Sequence, residues 1–337
     1  MLAQGARWPA AALLVAGAVL ATPAVADEAP EQTTVYLGFH IIDVRNVDMR
    51  NQSFFADYYV WMRFHTPSPE RAKEIESKFE VMNGKLESKE EVDRKTLGDQ
   101  TYICWRATGT FFFGANLRRY PFDSQSLELV FENANLEADS LVFADDTKSY
   151  ERSKAPKQFW GVKAGVTIPQ FRLNEVRRSQ QISTYPTDFG DPSREQVESK
   201  YSRFVVSLQF QREYMSYVYK IVIPLLIIIA MAYLVFFIPA KELSTASTIA
   251  ITALLTCMAF NIAVAQNMPE VGYLVVSDKF FIASYLLLFL TLAETVATYV
   301  LDDRGHGQAA ERIDAISRVA FPVAVLGVFG YLLSQAV

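Results

Sequence analysis

Apolar and polar positions divide the chain into two regimes. Up to about residue 210 the apolar residues come in short runs with partial alternation. Val35–Val44, Phe54–Phe64, Thr101–Phe113, Ser126–Phe131, Val162–Val176 and Ser202–Phe210 are rich in Val, Ile, Phe, Tyr and Thr, which suit a pleated, half-buried surface. Breaks at Asn83-Gly84, Gly98-Asp99, Tyr120-Pro121 and Tyr185-Pro186 separate them. Many short strands without intervening helical periodicity predict an immunoglobulin-like sandwich of two antiparallel sheets. The charged stretch Pro67–Lys95 follows neither period and reads as either helix or loop.

Beyond residue 215 the runs lengthen. Tyr219–Ile238 is apolar except for Lys220 and Pro224, Phe280–Leu301 is broken by Glu294, and Val319–Val337 is a third run. A bilayer core needs about 20 apolar residues per helix. Lys241–Gln266 is as long but has a polar stripe. Thr248, Thr252, Leu255, Ala259, Ile262 and Gln266 recur three or four residues apart and share one helix face. Such a stripe either lines a water-filled path or consists of hydroxyls that back-bond to helix carbonyls and pack on neighbouring helices. Spans at about 219–238, 243–266, 278–301 and 319–337 predict an all-α four-helix transmembrane domain over 216–337.

Arg7, the apolar run Ala10–Leu20 and the small-x-small triplet Ala24-Val25-Ala26 make residues 1–26 an expected signal peptide; the alternative is an uncleaved anchor. Residues 27–215 are then exported as a periplasmic β-sandwich, and the protein is expected in the inner (plasma) membrane. The connections Pro239–Lys241 and Leu301–Arg318 fall in the cytoplasm. Both carry Lys or Arg, as the positive-inside rule asks.

Hydrophobic residues are 51% of the chain and the net charge is −5, so composition favours a membrane protein and gives no case for a nucleic-acid partner. The only two cysteines, Cys104 and Cys257, fall in different regimes, and no intrachain disulfide is expected. The sequence has no Gly-rich phosphate loop, metal-spaced His/Cys set or nucleophile elbow. Enzyme, cofactor and metal site are therefore not expected. The competing reading is a membrane-anchored periplasmic binding or sensor protein without conduction, which would need one anchor rather than four spans.

Arg118–Gln125, RRYPFDSQ, followed by Leu127 and by Leu129-Val130-Phe131, resembles the signature loop of pentameric ligand-gated ion channels, the Cys-loop receptor superfamily. Phe113 and Leu127 hold the positions of the two loop cysteines, a loss typical of bacterial members. Phe55-Ala56-Asp57-Tyr58 resembles the family's second strand, Arg212–Tyr217 its pre-membrane junction, and Pro224 the proline of its first membrane helix. Ala259–Ile262 and Asn267-Met268-Pro269 resemble the end of the pore helix and the linker after it. These pieces keep the family's order and spacing over essentially the whole chain after residue 26.

The resemblance implies a homopentamer, or a heteropentamer of like subunits, in a lipid bilayer. Each subunit would have a ten-strand sandwich and four membrane helices, with the second helix lining a pore. A small-molecule or proton agonist would act at the periplasmic domain. Thr248 and Thr252 would form hydroxyl rings. Leu255, as gate, with Ala259 and Ile262 would form an apolar section, and Gln266 the outer end. A Glu242 ring, with Thr248, would select permeant monovalent cations; otherwise Glu242 serves the helix dipole. Ser244 and Thr245 stand where cation-selective relatives carry their acid. Asp48, Asp123, Arg212 and Pro269 would form the gating junction. The family's usual binding-site tryptophan falls on Ala134. Ligand candidates are therefore Tyr185, Phe189 and Tyr201 in the loop Thr184–Tyr201, with Trp61, Arg63, Glu80 and Glu132; Trp61 also reads as sandwich core. His40, His65 and His306 are candidate proton sensors.

Overall fold

The structure, a computed structural model, describes residues 32–65, 68–151, 153–190, 198–266 and 268–336. The expected signal peptide, part of the loop Thr184–Tyr201, and Asn267 lie outside these residues.

Strand β2 (Ser53–His65) buries every second residue from Phe54 to Phe64, the period of two that puts alternate side chains on one face. It is central in a five-stranded sheet with β1 (Thr33–Asp48), β4 (Gly84–Leu97), β5 (Gln100–Phe112) and β7 (Leu141–Asp145), in the order β4-β5-β2-β1-β7. The second sheet contains β3 (Phe79–Val81), β6 (Ser124–Asn133), β8 (Phe171–Tyr185) and β9 (Ser199–Arg212), in the order β3-β6-β9-β8. Inward rings join the sheets: Phe39 of β1 lies 4.8 Å from Phe131 of β6 and 5.6 Å from Phe204 of β9, centroid to centroid. Phe113 and Leu127 are both buried in this core, so apolar packing occupies the loop-cysteine positions. Cys104 and Cys257 are free and buried.

Some expectations are corrected. Nine strands, not ten, are present among the described residues. One pair is parallel: the chain after β6 crosses to the other sheet and sets β7 beside β1, Thr33 opposite Leu141. The strand expected at Val162–Val176 begins only at Phe171, because Gly161 and Gly165 take φ of 86° and 88°, a left-handed conformation that turns the chain. The unassigned stretch Pro67–Lys95 contains α1 (Pro69–Ser77), β3 and most of β4. Ser68 caps α1 by accepting from the Arg71 amide. Strand β4 is an edge strand whose residues are mostly exposed, so it shows no apolar alternation.

Among the described residues, four helices are long and apolar enough to cross a membrane: α2 (Met215–Phe237), α3 (Leu243–Ala265), α4 (Val276–Asp303) and α5 (Gly307–Ala336). A π-helical segment, Val218–Val222, leads into the turn that holds Pro224; proline cannot donate to the ladder and clashes with the preceding turn. The cytoplasmic connection expected over Leu301–Arg318 is mostly helix, with its break at Arg304–His306. Gly305 has φ of 83°, and the amides of Gly305 and His306 bond back to Asp302 and Leu301. This glycine-terminated cap ends α4. Helix α5 therefore starts well before Val319; the charged residues of its first turns favour helix but fall outside an apolar run.

Candidate functional site

Three places in the fold carry most of the candidate residues. The first is a cavity of about 510 Å³ at the second sheet, lined by Glu74, Glu80, Glu132, Tyr185, Phe189 and Tyr201 among others, including Ala134 and Asp188. Glu80 and Glu132 are opposite residues of β3 and β6. Tyr185 and Tyr201 stand on the two strands of the β8–β9 hairpin near its connecting end, Tyr185 opposite Ser199 and Tyr201 opposite Ser183. Tyr185 lies 5.5 Å from Phe189 and 5.9 Å from Tyr201, ring to ring. Glu132 is buried and doubly engaged: Arg203 Nε donates to it at 2.5 Å and the Tyr185 hydroxyl at 2.9 Å. Arg203 also donates to the Tyr185 hydroxyl at 2.9 Å. Arg203 is not among the sequence-derived candidates. The β6–β9 register, Phe131 opposite Phe204, is the signal that sets it beside Glu132.

Trp61 and Arg63 do not join this cavity within the protomer. Trp61 Nε1 donates to Asp146 at 2.9 Å, and Arg63 forms a bidentate pair with the same carboxylate. The indole lies flat over Gly38, where a Cβ would sit 2.1 Å from it. Burial alone would raise the Asp146 carboxyl, but bonds from Arg63, Ser149 and Trp61 outweigh it and hold the group below its ordinary value. Its stabilisation is therefore fully present above the unfolded carboxylate pKa and is lost as pH falls through the depressed folded value. Asp146→Ala strands Arg63 and Trp61 and should destabilise the sandwich by about 3 kcal/mol. Thermal melts of the mutant and parent should differ near neutral pH and converge in acid. Coincident melts at neutral pH would show that Asp146 is not holding the pair.

The second place is where the sandwich meets the helices. Asp123, at the head of β6, and Arg212, at the end of β9, form a buried bidentate pair with Nε–Oδ1 2.6 Å and Nη2–Oδ2 3.1 Å. Gln125 also donates to Asp123. The guanidinium lies 4.4 Å from the Phe171 ring and 4.8 Å from the Tyr120 ring. Asp48 is not a member of this pair. It accepts from the Arg50 and Asn51 amides at 2.8 and 3.0 Å, and the Asn51 bonds lead in lowering its pKa. It shares with Arg212 and Pro269 a cavity of about 600 Å³.

The loop before β6 is also tied to the α3–α4 linker and to the first turn of α4. The Leu117 amide donates to the Tyr273 hydroxyl at 3.1 Å, and the Ser277 amide to the Tyr120 carbonyl at 3.3 Å. Arg118 lies 4.9 Å from the Tyr273 ring. Tyr273 has no counterpart among the sequence-derived candidates, because a main-chain acceptor or donor leaves no mark in side-chain patterns.

The third place is α3. Ala246, Ala250, Ala253 and Cys257 are its buried residues, and at 100° per residue they face almost opposite the stripe. Thr248, Thr252, Leu255, Ala259, Ile262 and Gln266 are all exposed in the protomer, Leu255 at 60%. Thr248 donates to the Ser244 carbonyl at 2.6 Å. Glu242 is the N-cap residue but makes no side-chain cap bond; Thr245 donates to it at 3.4 Å. Of the histidines, His40 is exposed on β1, and desolvation followed by the charge of Lys163 lowers its pKa. His65 lies 3.4 Å from Asp99.

The family model of the neurotransmitter-gated ion-channel transmembrane region matches residues 221–308. The chain is 25% identical over 321 residues to the proton-gated ion channel of Gloeobacter violaceus, covering 90% of this chain and 82% of that protein. It is 23% identical over 221 residues to the gamma-aminobutyric acid receptor subunit beta-4 of Gallus gallus, covering 63% of this chain and 40% of that one. It is also 23% identical over 196 residues to the pH-sensitive chloride channel 2 of Anopheles gambiae, covering 57% of this chain and 29% of that one.

Proposed function

Because the chain belongs to the pentameric ligand-gated ion channels of the Cys-loop superfamily, in their bacterial form, we propose that it is a homopentameric, cation-selective channel opened at its periplasmic domain. The observation that carries this reading is α3. Its exposed stripe faces away from the helices that bury Ala246, Ala250, Ala253 and Cys257. In a ring of five that stripe has a use, because hydroxyls, amides and a leucine constriction can line water. Thr248 and Thr252 then form hydroxyl rings, Leu255 the gate, Ala259 and Ile262 the apolar section above it, and Gln266 the outer mouth.

The agonist site is the aromatic cavity, and its chemistry favours a small organic cation. Glu132 is already neutralised by Arg203, while Glu80 and Asp188 line the cavity beside three aromatic rings. Cations are attracted by carboxylates and by ring faces alike. Trp61 and Arg63 reach such an agonist only if a neighbouring subunit's β2 abuts the cavity. Asp123, Arg212, Asp48 and Pro269 form the junction that couples agonist to pore. The division into signal peptide 1–26, sandwich 27–215 and pore region 216–337 belongs to the same reading.

The test is the purified full chain in a planar bilayer, with native mass measured on the same sample. A five-protomer mass and current evoked by amines or pH steps are expected. A monomer mass, or silence across amines, carboxylates and pH steps, would overturn the reading. For selectivity, Glu242→Gln should move the reversal potential in a salt gradient toward neutrality. The effect should shrink at high salt, since exposed charges are screened over about 10 Å at 0.1 M. An unmoved reversal potential and conductance would exclude Glu242 as the selecting ring.

A further inference from the structure

The connection from β7 to β8 holds a cavity separate from the agonist cavity and from the one at the junction. Its chain is pinned at two points. The Ile41 amide donates to the Gly161 carbonyl and the Lys163 amide donates back to the Ile41 carbonyl, both at 2.8 Å. Further on, Ile168 is buried in the sandwich core. Between these anchors the chain arches over the start of β8, and a Cβ built on Gly165 would meet nothing within 4 Å. The arch and the first residues of β8 enclose a cavity of about 390 Å³, walled by Phe159, Val166, Phe171 and Leu173. That volume is within the range of about 300–1,000 Å³ usual for small-molecule pockets.

The rim of this cavity is charged. Lys163 and Arg172 line it and are exposed. The ion pairs of β8 are Arg177–Glu175 and Arg178–Asp145; neither Lys163 nor Arg172 is paired with an acid among the described residues. Glu213 is the one acid on the lining. Two cations against one carboxylate leave a net positive rim over apolar walls. Such a site suits a molecule with an anionic head and an apolar tail. The tail gains by leaving water, and the head gains charge-assisted hydrogen bonds from the two cations. Phe171 links the cavity to the junction. Its ring lies 4.4 Å from the Arg212 guanidinium of the buried pair. Glu213 follows Arg212 in the chain, and its amide donates to the Gln170 carbonyl at 2.7 Å.

We propose that this cavity is a second ligand site, for a small amphipathic carboxylate such as a medium-chain fatty acid. The tail lies against Phe171 and the head sits between Lys163 and Arg172. Occupancy is felt at the junction through Phe171, whose ring packs on Arg212. The site goes beyond the agonist reading, since it takes the opposite charge and is formed by different residues. Binding needs no conduction; only the effect on current rests on the channel reading.

The test is binding of radiolabelled octanoate at neutral pH to the full chain in phosphatidylcholine nanodiscs, with empty nanodiscs subtracted. Saturable binding is expected. Acetate should compete poorly because it lacks the tail that the walls bury, and octylammonium because its charge is wrong. Lys163→Gln and Arg172→Gln alter exposed side chains, so folding is retained, and each should weaken octanoate by about fivefold, the scale of one exposed ion pair. Glu213→Gln should tighten it. Lys157→Gln, which removes a nearby cation that is off the lining, should leave it unchanged. Binding that does not saturate, equal competition by octylammonium, or an affinity unmoved in both cation variants would overturn the site. Displacement of octanoate by phosphatidylglycerol added to the discs would assign the cavity to a lipid headgroup and overturn the free carboxylate. In bilayer recordings octanoate should shift the parent's agonist titration and leave that of the Lys163→Gln, Arg172→Gln double variant in place. No shift in the parent, or an equal shift in the double variant, would overturn the coupling to the junction.

Discussion

Leu255→Ser channels should pass current before any agonist is added. In one protomer Leu255 is 60% exposed, on the face of α3 opposite its buried alanines. In a ring, five such leucines would meet across a narrow path, and an apolar constriction excludes ions by excluding water. A serine hydroxyl hydrates readily, so the closed state loses its dry plug while the open state loses little. The half-activating stimulus should fall by at least about tenfold, equivalent to about 1.4 kcal/mol in the closed–open equilibrium. Met258→Ser, exposed on the same helix but off the stripe, should leave the response near that of the parent. The comparison needs only agonist titrations with expression matched between variants. If well-expressed Leu255→Ser protein keeps the parental titration curve, the gate lies elsewhere on the stripe.

Breaking the Asp123–Arg212 pair should have the largest effect at the junction. Both groups are buried and fully matched in a bidentate bond. Removing one partner leaves the other as an uncompensated buried charge, which costs about 3–5 kcal/mol. Asp123→Asn and Arg212→Gln should each impair assembly or raise the stimulus needed for opening, while the pore itself is untouched. The double mutant should be milder than the sum, with a coupling of about 0.5–3 kcal/mol, because neither charge is then stranded. The cycle is read on half-maximal activation, with pentamer mass and surface expression recorded for every variant. Strict additivity would mean that the two groups do not act together.

How much was legible in advance varied with the kind of signal. The alternation of Phe54, Ala56, Tyr58, Val60, Met62 and Phe64 marks β2 without any structure, because one face is dry and the other is not. Strand β4 is silent, since its edge position leaves most side chains wet. The apolar runs mark the membrane helices but understate α5, whose charged first turns continue the same helix. At the candidate sites, residue type pointed to the aromatic rings and carboxylates. It did not reveal which carboxylates were already committed. Glu132 is matched by Arg203, and Asp146 takes both Trp61 and Arg63; strand register and tertiary packing decide those pairings, and a linear pattern contains neither.

The two tethers from the loop before β6, one to the α3–α4 linker and one to the start of α4, bear on modularity. One is main chain to main chain, Ser277 to Tyr120; the other is main chain to a phenol, Leu117 to Tyr273. A backbone tether survives almost any side-chain replacement. A clasp built this way can persist while the sequences on its two sides diverge, as they have at 25% identity to the Gloeobacter protein. A sandwich transplanted from such a relative onto these helices would bring its own carbonyl to Ser277 and its own amide to Tyr273. The phenol would have to be kept on the recipient side, which makes Tyr273 one residue on which exchange of domains turns.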